Sequence, residues 1–105
     1  MAESKTNKFT KSEVHLSELA KALAHPARIR ILNILFENNV CITGDIVELL
    51  PLSQSTVSQH LNELKKIGLI KGEIEGPKTC YCLDNSMVES SNILFNKLFS
   101  KICKC

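Results

Sequence analysis

A chain of 105 residues with 44% hydrophobic and 23% charged side chains is globular in composition and long enough for one domain with a modest core. No apolar run approaches the roughly 20 residues needed to cross a bilayer, and the N-terminal stretch MAESKTNKFTKSEV has lysines without an apolar core, so neither a membrane span nor a secretory signal is expected. A net charge of +2 and a pI near 8.3 do not by themselves single out a nucleic-acid binder, since strong ones often exceed a pI of about 9.

Residues 1–9 read as a flexible lead-in. Val14, Leu16, Leu19, Ala20 and Leu23 follow helical spacing and predict a first helix from about Thr10 to Ala24, closed by His25-Pro26 because the residue before proline is pushed out of helical geometry. Pro26 fits the first turn of a second helix, whose buried stripe is read as Ile29, Leu32, Leu35 and Phe36, ending at Glu37 before Asn38-Asn39. Val40-Cys41-Ile42 is a short β-prone run. Thr43 then caps a third helix, Gly44 to Leu50, with Asp45 favoured in its first turn by the helix dipole. Pro51-Leu52 form a turn and Ser53 caps a fourth helix, so that residues 43–67 make a helix-turn-helix. Beyond Gly68, Leu69 to Glu75 and Lys78 to Leu83 are two strands joined at Gly76-Pro77, a hairpin or wing over 69–83. The last helix covers 86–102, and Ser91, Leu94, Phe95, Leu98, Phe99 and Ile102 give it more apolar face than the small core requires. That excess is read as a dimer interface with the first helix as its partner. The expected fold is mainly α with a small β-wing, a winged helix-turn-helix of order ααβααββα in a single domain, 1–105.

The fourth helix carries the chemistry. Val57, Leu61 and Leu64 form one apolar stripe, while Gln54, Ser55, Thr56, Ser58, Gln59 and Asn62 occupy the other faces. Amides and hydroxyls on a helix anchored from one side can donate to and accept from base edges and phosphates, and glutamine can pair bidentately with adenine. Candidate DNA contacts are Ser53, Gln54, Ser55, Thr56, Ser58, Gln59, His60, Asn62, Lys65 and Lys78. Two of these have a plainer alternative: His60 is either a DNA contact or a packed histidine with one hydrogen bond, and Lys78, beside the wing turn, is either a backbone contact or an ordinary surface lysine.

The run LSQSTVSQHLNELKKIGLIKGEIEGPKTCYCL, Leu52 to Leu83, resembles the recognition helix and wing of the ArsR/SmtB family of bacterial winged-helix repressors, whose usual signature is LSQSTVSxHLxxLxxxGLI followed by a hairpin and an aromatic strand. LAKALAHPARIRILNIL, Leu19 to Leu35, is similar to the family's entry helices. The resemblance implies a homodimeric repressor on a palindromic operator in double-stranded DNA, released when an inducer binds.

Five cysteines fall into three groups, Cys41, Cys80/Cys82 and Cys103/Cys105. Cys80 and Cys82 alternate with Tyr81 and share one sheet face. In the winged-helix plan that the resemblance implies, the strand holding Cys41 lies against the second wing strand, so three thiols could share a patch. Soft thiolates select thiophilic ions, among them arsenic(III) and antimony(III). The alternative is that each is a small hydrophobe. Two family patterns are incomplete: Cys41-Ile42-Thr43 lacks the second thiol of the C-x-C that arsenic- and cadmium-sensing members carry, and no histidine follows His60 to supply the last-helix zinc or nickel site.

The chain is therefore read as a cytoplasmic, sequence-specific DNA-binding repressor released by a thiol-directed inducer, arsenic(III) first, with Cys41, Cys80, Cys82, Cys103 and Cys105 as the pool of ligands. The alternative is the same fold with a cysteine redox or persulfide switch and no metal. No cofactor is required. An enzyme is disfavoured because the chain has no C-x-x-C, no Gly-rich nucleotide loop and no His/Asp pair set to activate a nucleophile.

Overall fold

The structure is a computed structural model that describes residues 8–38, 44–75 and 78–103, the side chains of 44, 45, 73–75, 78 and 79 excepted. Helix α1, Lys11–Ala22, starts where Thr10 and Glu13 form a capping box: Thr10 Oγ1 accepts from the Glu13 amide at 3.0 Å, and Glu13 Oε1 accepts from the Thr10 amide at 2.9 Å. It ends two residues earlier than expected: the Leu23 amide is shared between the Leu19 and Ala20 carbonyls and the Ala24 amide turns back to Lys21, ahead of Pro26. Helix α2, Pro26–Asn38, opens on His25, whose carbonyl accepts from Arg28 and Ile29 and whose Nδ1 accepts from the Ala27 amide at 3.0 Å.

The buried stripe of α2 differs from the expected one. Ala27, Ile31, Ile34 and Leu35 face the core, whereas Ile29 is 43% and Phe36 71% exposed. Positions 27, 31 and 34 repeat at four and three residues and define the inner face; 29 and 36, seven apart, lie together on the outer one. Leu35 belongs to the core and Leu32 packs at its edge.

Gly44–Leu49 is a 3-10 helix and not the α-helix expected from Gly44 to Leu50. Pro51 accounts for its last turn: an α-helical bond there would need the missing amide to satisfy the Val47 carbonyl, and the Leu50 amide takes that carbonyl instead, at 3.3 Å. The expected strand at Val40-Cys41-Ile42, the Thr43 cap, the Gly76-Pro77 turn and most of the 1–9 lead-in lie outside the described residues.

Helix α3, Gln54–Ile67, is capped by Ser53, whose Oγ accepts from the Thr56 amide. Gly68 closes it in the left-handed region, φ +93°, with its amide donating to Lys65 and the Leu69 amide to Leu64. Strands β1, Ile70–Glu75, and β2, Lys78–Leu83, pair antiparallel with Ile70 opposite Leu83 and Gly72 opposite Tyr81. Ile70, Tyr81 and Leu83 turn toward the core. The Asp84 amide donates to the Leu69 carbonyl at 2.9 Å and closes the foot of the hairpin, while its Oδ1 accepts from Met87 and caps α4, Asn85–Ile102. Leu19, Ile31, Ile46, Val57, Leu64 and Ile70 are the centre of one core shared by α1, α2, the 3-10 helix, α3 and β1. Among the described residues no helix is long and apolar enough to cross a membrane.

Candidate nucleic-acid interface

Helix α3 carries two opposed stripes. Val57, His60, Leu61 and Leu64 are buried, and Ser55, Ser58, Gln59 and Asn62 repeat at the same spacing on the exposed side. At its N-terminus the Ser53 hydroxyl lies 3.3 Å from that of Ser55 and 3.0 Å from that of Thr56. Three hydroxyls at the positive end of the helix dipole, with Gln54 exposed beside them, form a surface suited to phosphate or base edges. Lys65 is exposed in the last turn; Lys66 contacts Glu63 at 3.5 Å, an exposed pair that contributes little.

His60 is corrected. It is 7% exposed, its Nδ1 accepts from Arg28 Nε at 3.0 Å, and its ring lies 4.3 Å from that of His25. Of its two readings the packed histidine holds, and it leaves the DNA-facing set. Burial, followed by the nearby His25 and Arg28 charges, holds its pKa below the usual imidazole value. Its Nε2 is buried without a hydrogen-bond partner among the described residues. Arg28 turns inward as well, donating from Nη1 to the Ala22 carbonyl at 3.2 Å. The Arg28–His60 contact joins residues 32 apart and no local pattern announces it; His25-Pro26 signals only a helix boundary. Lys78 opens β2 opposite Glu75, its side chain outside the described residues.

Cys80 is buried and Cys82 half-buried, opposite Glu73 and Lys71 in the hairpin register. Cys103, exposed, directly follows α4, whose 18 residues span roughly 27 Å at 1.5 Å each. A single chain therefore does not bring Cys103 to Cys80 and Cys82. Cys41 and Cys105 lie outside the described residues, and among the described residues no three His, Cys, Asp or Glu side chains are grouped to hold a metal ion.

The fold is a winged helix-turn-helix whose α3 shows a polar face outward, and the family and relatives that it matches are DNA-binding transcription regulators, not enzymes. The chain belongs to the arsR family of bacterial regulatory proteins, whose signature matches residues 25–71. It is 35% identical over 82 residues to the transcriptional repressor PagR of Bacillus anthracis, covering 78% of this chain and 82% of PagR. It is also 35% identical over 81 residues to the transcriptional activator HlyU of Vibrio cholerae, covering 77% of this chain and 74% of HlyU. The solved structure of HlyU from Vibrio cholerae N16961 superposes with a TM-score of 0.68 at 31% identity over 88% of this chain and 99% of that one. A structure of reduced HlyU matches at 0.64 and 29% identity, over 94% and 98%.

Proposed function

We propose that the protein is a homodimeric, cytoplasmic repressor that reads a palindromic operator through the exposed face of α3 and is released by a thiol-directed inducer, arsenic(III) first. The observation that carries the DNA reading is the pair of opposed stripes on α3: the helix is anchored through Val57, Leu61 and Leu64 and presents Ser55, Ser58, Gln59 and Asn62 to solvent. Gln54 and Gln59 are the base-reading amides, the Ser53, Ser55 and Thr56 hydroxyls and Lys65 the backbone contacts, and Lys78 reaches the flanking groove. Two copies related by a two-fold axis set their reading helices in successive major grooves about 34 Å apart. Dimerisation through α1 and α4 is supported by Phe99 and Ile102, exposed at the end of α4 where a second copy would cover them.

Cys80 and Cys82, two apart on β2, are the proposed core of the inducer site, with Cys41 as third thiol. Coordination of arsenic(III) by three thiolates fits this donor set. The second reading, a redox or persulfide input without metal, is favoured by the similarity to a structure of reduced HlyU.

Fluorescence anisotropy of the reduced protein on its own promoter fragment, at fixed salt, tests both. Release by arsenite that Cys80→Ser/Cys82→Ser abolishes supports the first reading; release by oxidant alone, in metal-free buffer, supports the second. Absence of binding under every condition would sink the repressor.

A further inference from the structure

One guanidinium ties three helices together at a point the DNA reading does not use. Arg28, in α2, donates from Nε to His60 Nδ1 on α3 and from Nη1 to the carbonyl of Ala22, the last residue of α1. A guanidinium has donors only, so the direction of the His60 bond is fixed: Nδ1 is an acceptor and the neutral ring carries its proton on Nε2. His25 is held in the same tautomer by the Ala27 amide at its Nδ1, and its ring lies against that of His60 at 4.3 Å. A second proton on His60 would occupy the lone pair that Arg28 uses. Donor would then face donor, and two cations would meet at hydrogen-bond distance in a buried site.

We propose that Arg28 and His60 are positioning residues for operator recognition: the neutral imidazole latches α3 to α1 and α2, and protonation opens the latch and displaces the reading face. His60 lies between Gln59 and Leu61 in the chain and its neighbours Ser58, Gln59 and Asn62 are exposed, so movement of the anchored side is passed directly to the side that meets DNA. The charged groups around the ring are Arg28 from α2 and His25 from the α1–α2 corner. The adjoining cleft, about 560 Å³, adds Glu18 and Lys21 from α1 and Glu63 and Lys66 from α3, two acids beside two bases that leave its charge nearly balanced. Among the described residues no carboxylate hydrogen-bonds to His60 to stabilise its cation.

The sign of the effect is diagnostic. Protonating histidines adds positive charge, and charge alone would tighten binding to a polyanion. The latch predicts weaker binding in acid. The proposal rests on the DNA reading, and its test separates the two. Operator affinity of the full chain is measured by anisotropy from about pH 8 to about pH 5 at fixed ionic strength, a span that brackets the ordinary imidazole value. His60→Asn is compared, because its Oδ1 can still accept from Arg28 Nε but does not titrate. The wild type is expected to lose about tenfold in affinity toward acid, mid-range for a conformational coupling, while His60→Asn binds at pH 8 and lacks that loss. Wild-type binding that is flat or tighter in acid overturns the latch, as does an equal loss in His60→Asn. Imidazole ¹⁵N shifts of the free protein give a readout independent of DNA and of the variant's folding: His60 must show a protonated Nε2 and a bare Nδ1, and must accept its second proton below the ordinary imidazole value. The opposite tautomer overturns the proposal. Failure to bind any operator at pH 8 would instead overturn the DNA reading, leaving the tautomer to judge the latch.

Discussion

Replacing Gly68 by alanine asks whether the joint between α3 and the wing is set by backbone conformation or by side-chain space. Gly68 has φ +93°, in the region where an L-residue pays roughly 1–2 kcal/mol. Part of this is offset by the stiffer unfolded chain, about 0.4–1 kcal/mol, so the net loss expected is about 1 kcal/mol. Space contributes little: a Cβ built there meets Met87 Cγ at 3.5 Å, an ordinary van der Waals contact, with Met87 Cε and Sδ at 3.9 and 4.0 Å. Urea unfolding followed by far-UV circular dichroism, at one protein concentration, should show a lower midpoint with an unchanged slope; in heat, the same loss is a fall of about 4–8 °C. Gly68→Asn should cost less than alanine, because asparagine visits the left-handed region more readily. The decisive comparison is the cycle with Met87→Ala. Strain predicts that the two losses add to within about 0.5 kcal/mol. If the cost of Gly68→Ala disappears once Met87 is truncated, the contact and not the backbone governs the joint, and the reasoning fails.

Leu64→Ala removes a fully buried side chain at the centre of the core and should cost about 2–5 kcal/mol, read as a large drop in the thermal midpoint; a loss no greater than that of an exposed substitution would show the core to be misassigned. Gln59→Ala and Lys65→Ala should separate base reading from charge: the first loses about 1–3 kcal/mol of discrimination between the operator and single-base variants, while the second weakens all sequences alike and lowers the salt slope by about one. Stability should also depend on pH through His60, whose folded pKa lies below its unfolded one. Its neutral form is favoured by folding, so stability is full above about pH 6.5 and is lost as pH falls below that value. Urea midpoints across that range should slope accordingly in the wild type and less steeply in His60→Asn, and a rise in stability toward acid would contradict the burial of the ring.

Elements with their own punctuation were legible in the sequence. Ser53, Gly68 and the 57/61/64 spacing locate α3, and its exposed face follows by subtraction. The phase of α2 was not legible. Its sequence PARIRILNILFEN has apolar residues at 27, 29, 31, 32, 34, 35 and 36, nearly all the way round, so spacing alone admits more than one stripe. Packing against α3 chooses the face with Ala27, Ile31 and Ile34. The 3-10 geometry was within reach, since Pro51 stands where the last α-helical bond would need an amide. The capping box is legible too, as Thr10-Lys-Ser-Glu13 at the expected helix start. The Arg28–His60 bond was out of reach because it depends on how two helices cross, which no local pattern encodes. The cysteines, by contrast, were legible: alternation along β2 follows from strand geometry, and the distance of Cys103 follows from the length of a last helix already expected over 86–102.

The bond from the Asp84 amide to the Leu69 carbonyl holds the two ends of the hairpin together at its foot, beside the core contacts of Ile70, Tyr81 and Leu83. The chain enters and leaves at the same place, so the register of α4 relative to α3 is decided at the foot and does not depend on how many residues lie between Glu75 and Lys78. Wing length can therefore drift by insertion or deletion without re-aiming either helix. On the proposed dimeric, operator-reading arrangement, this lets the reach along DNA be retuned while the geometry of assembly stays as it was.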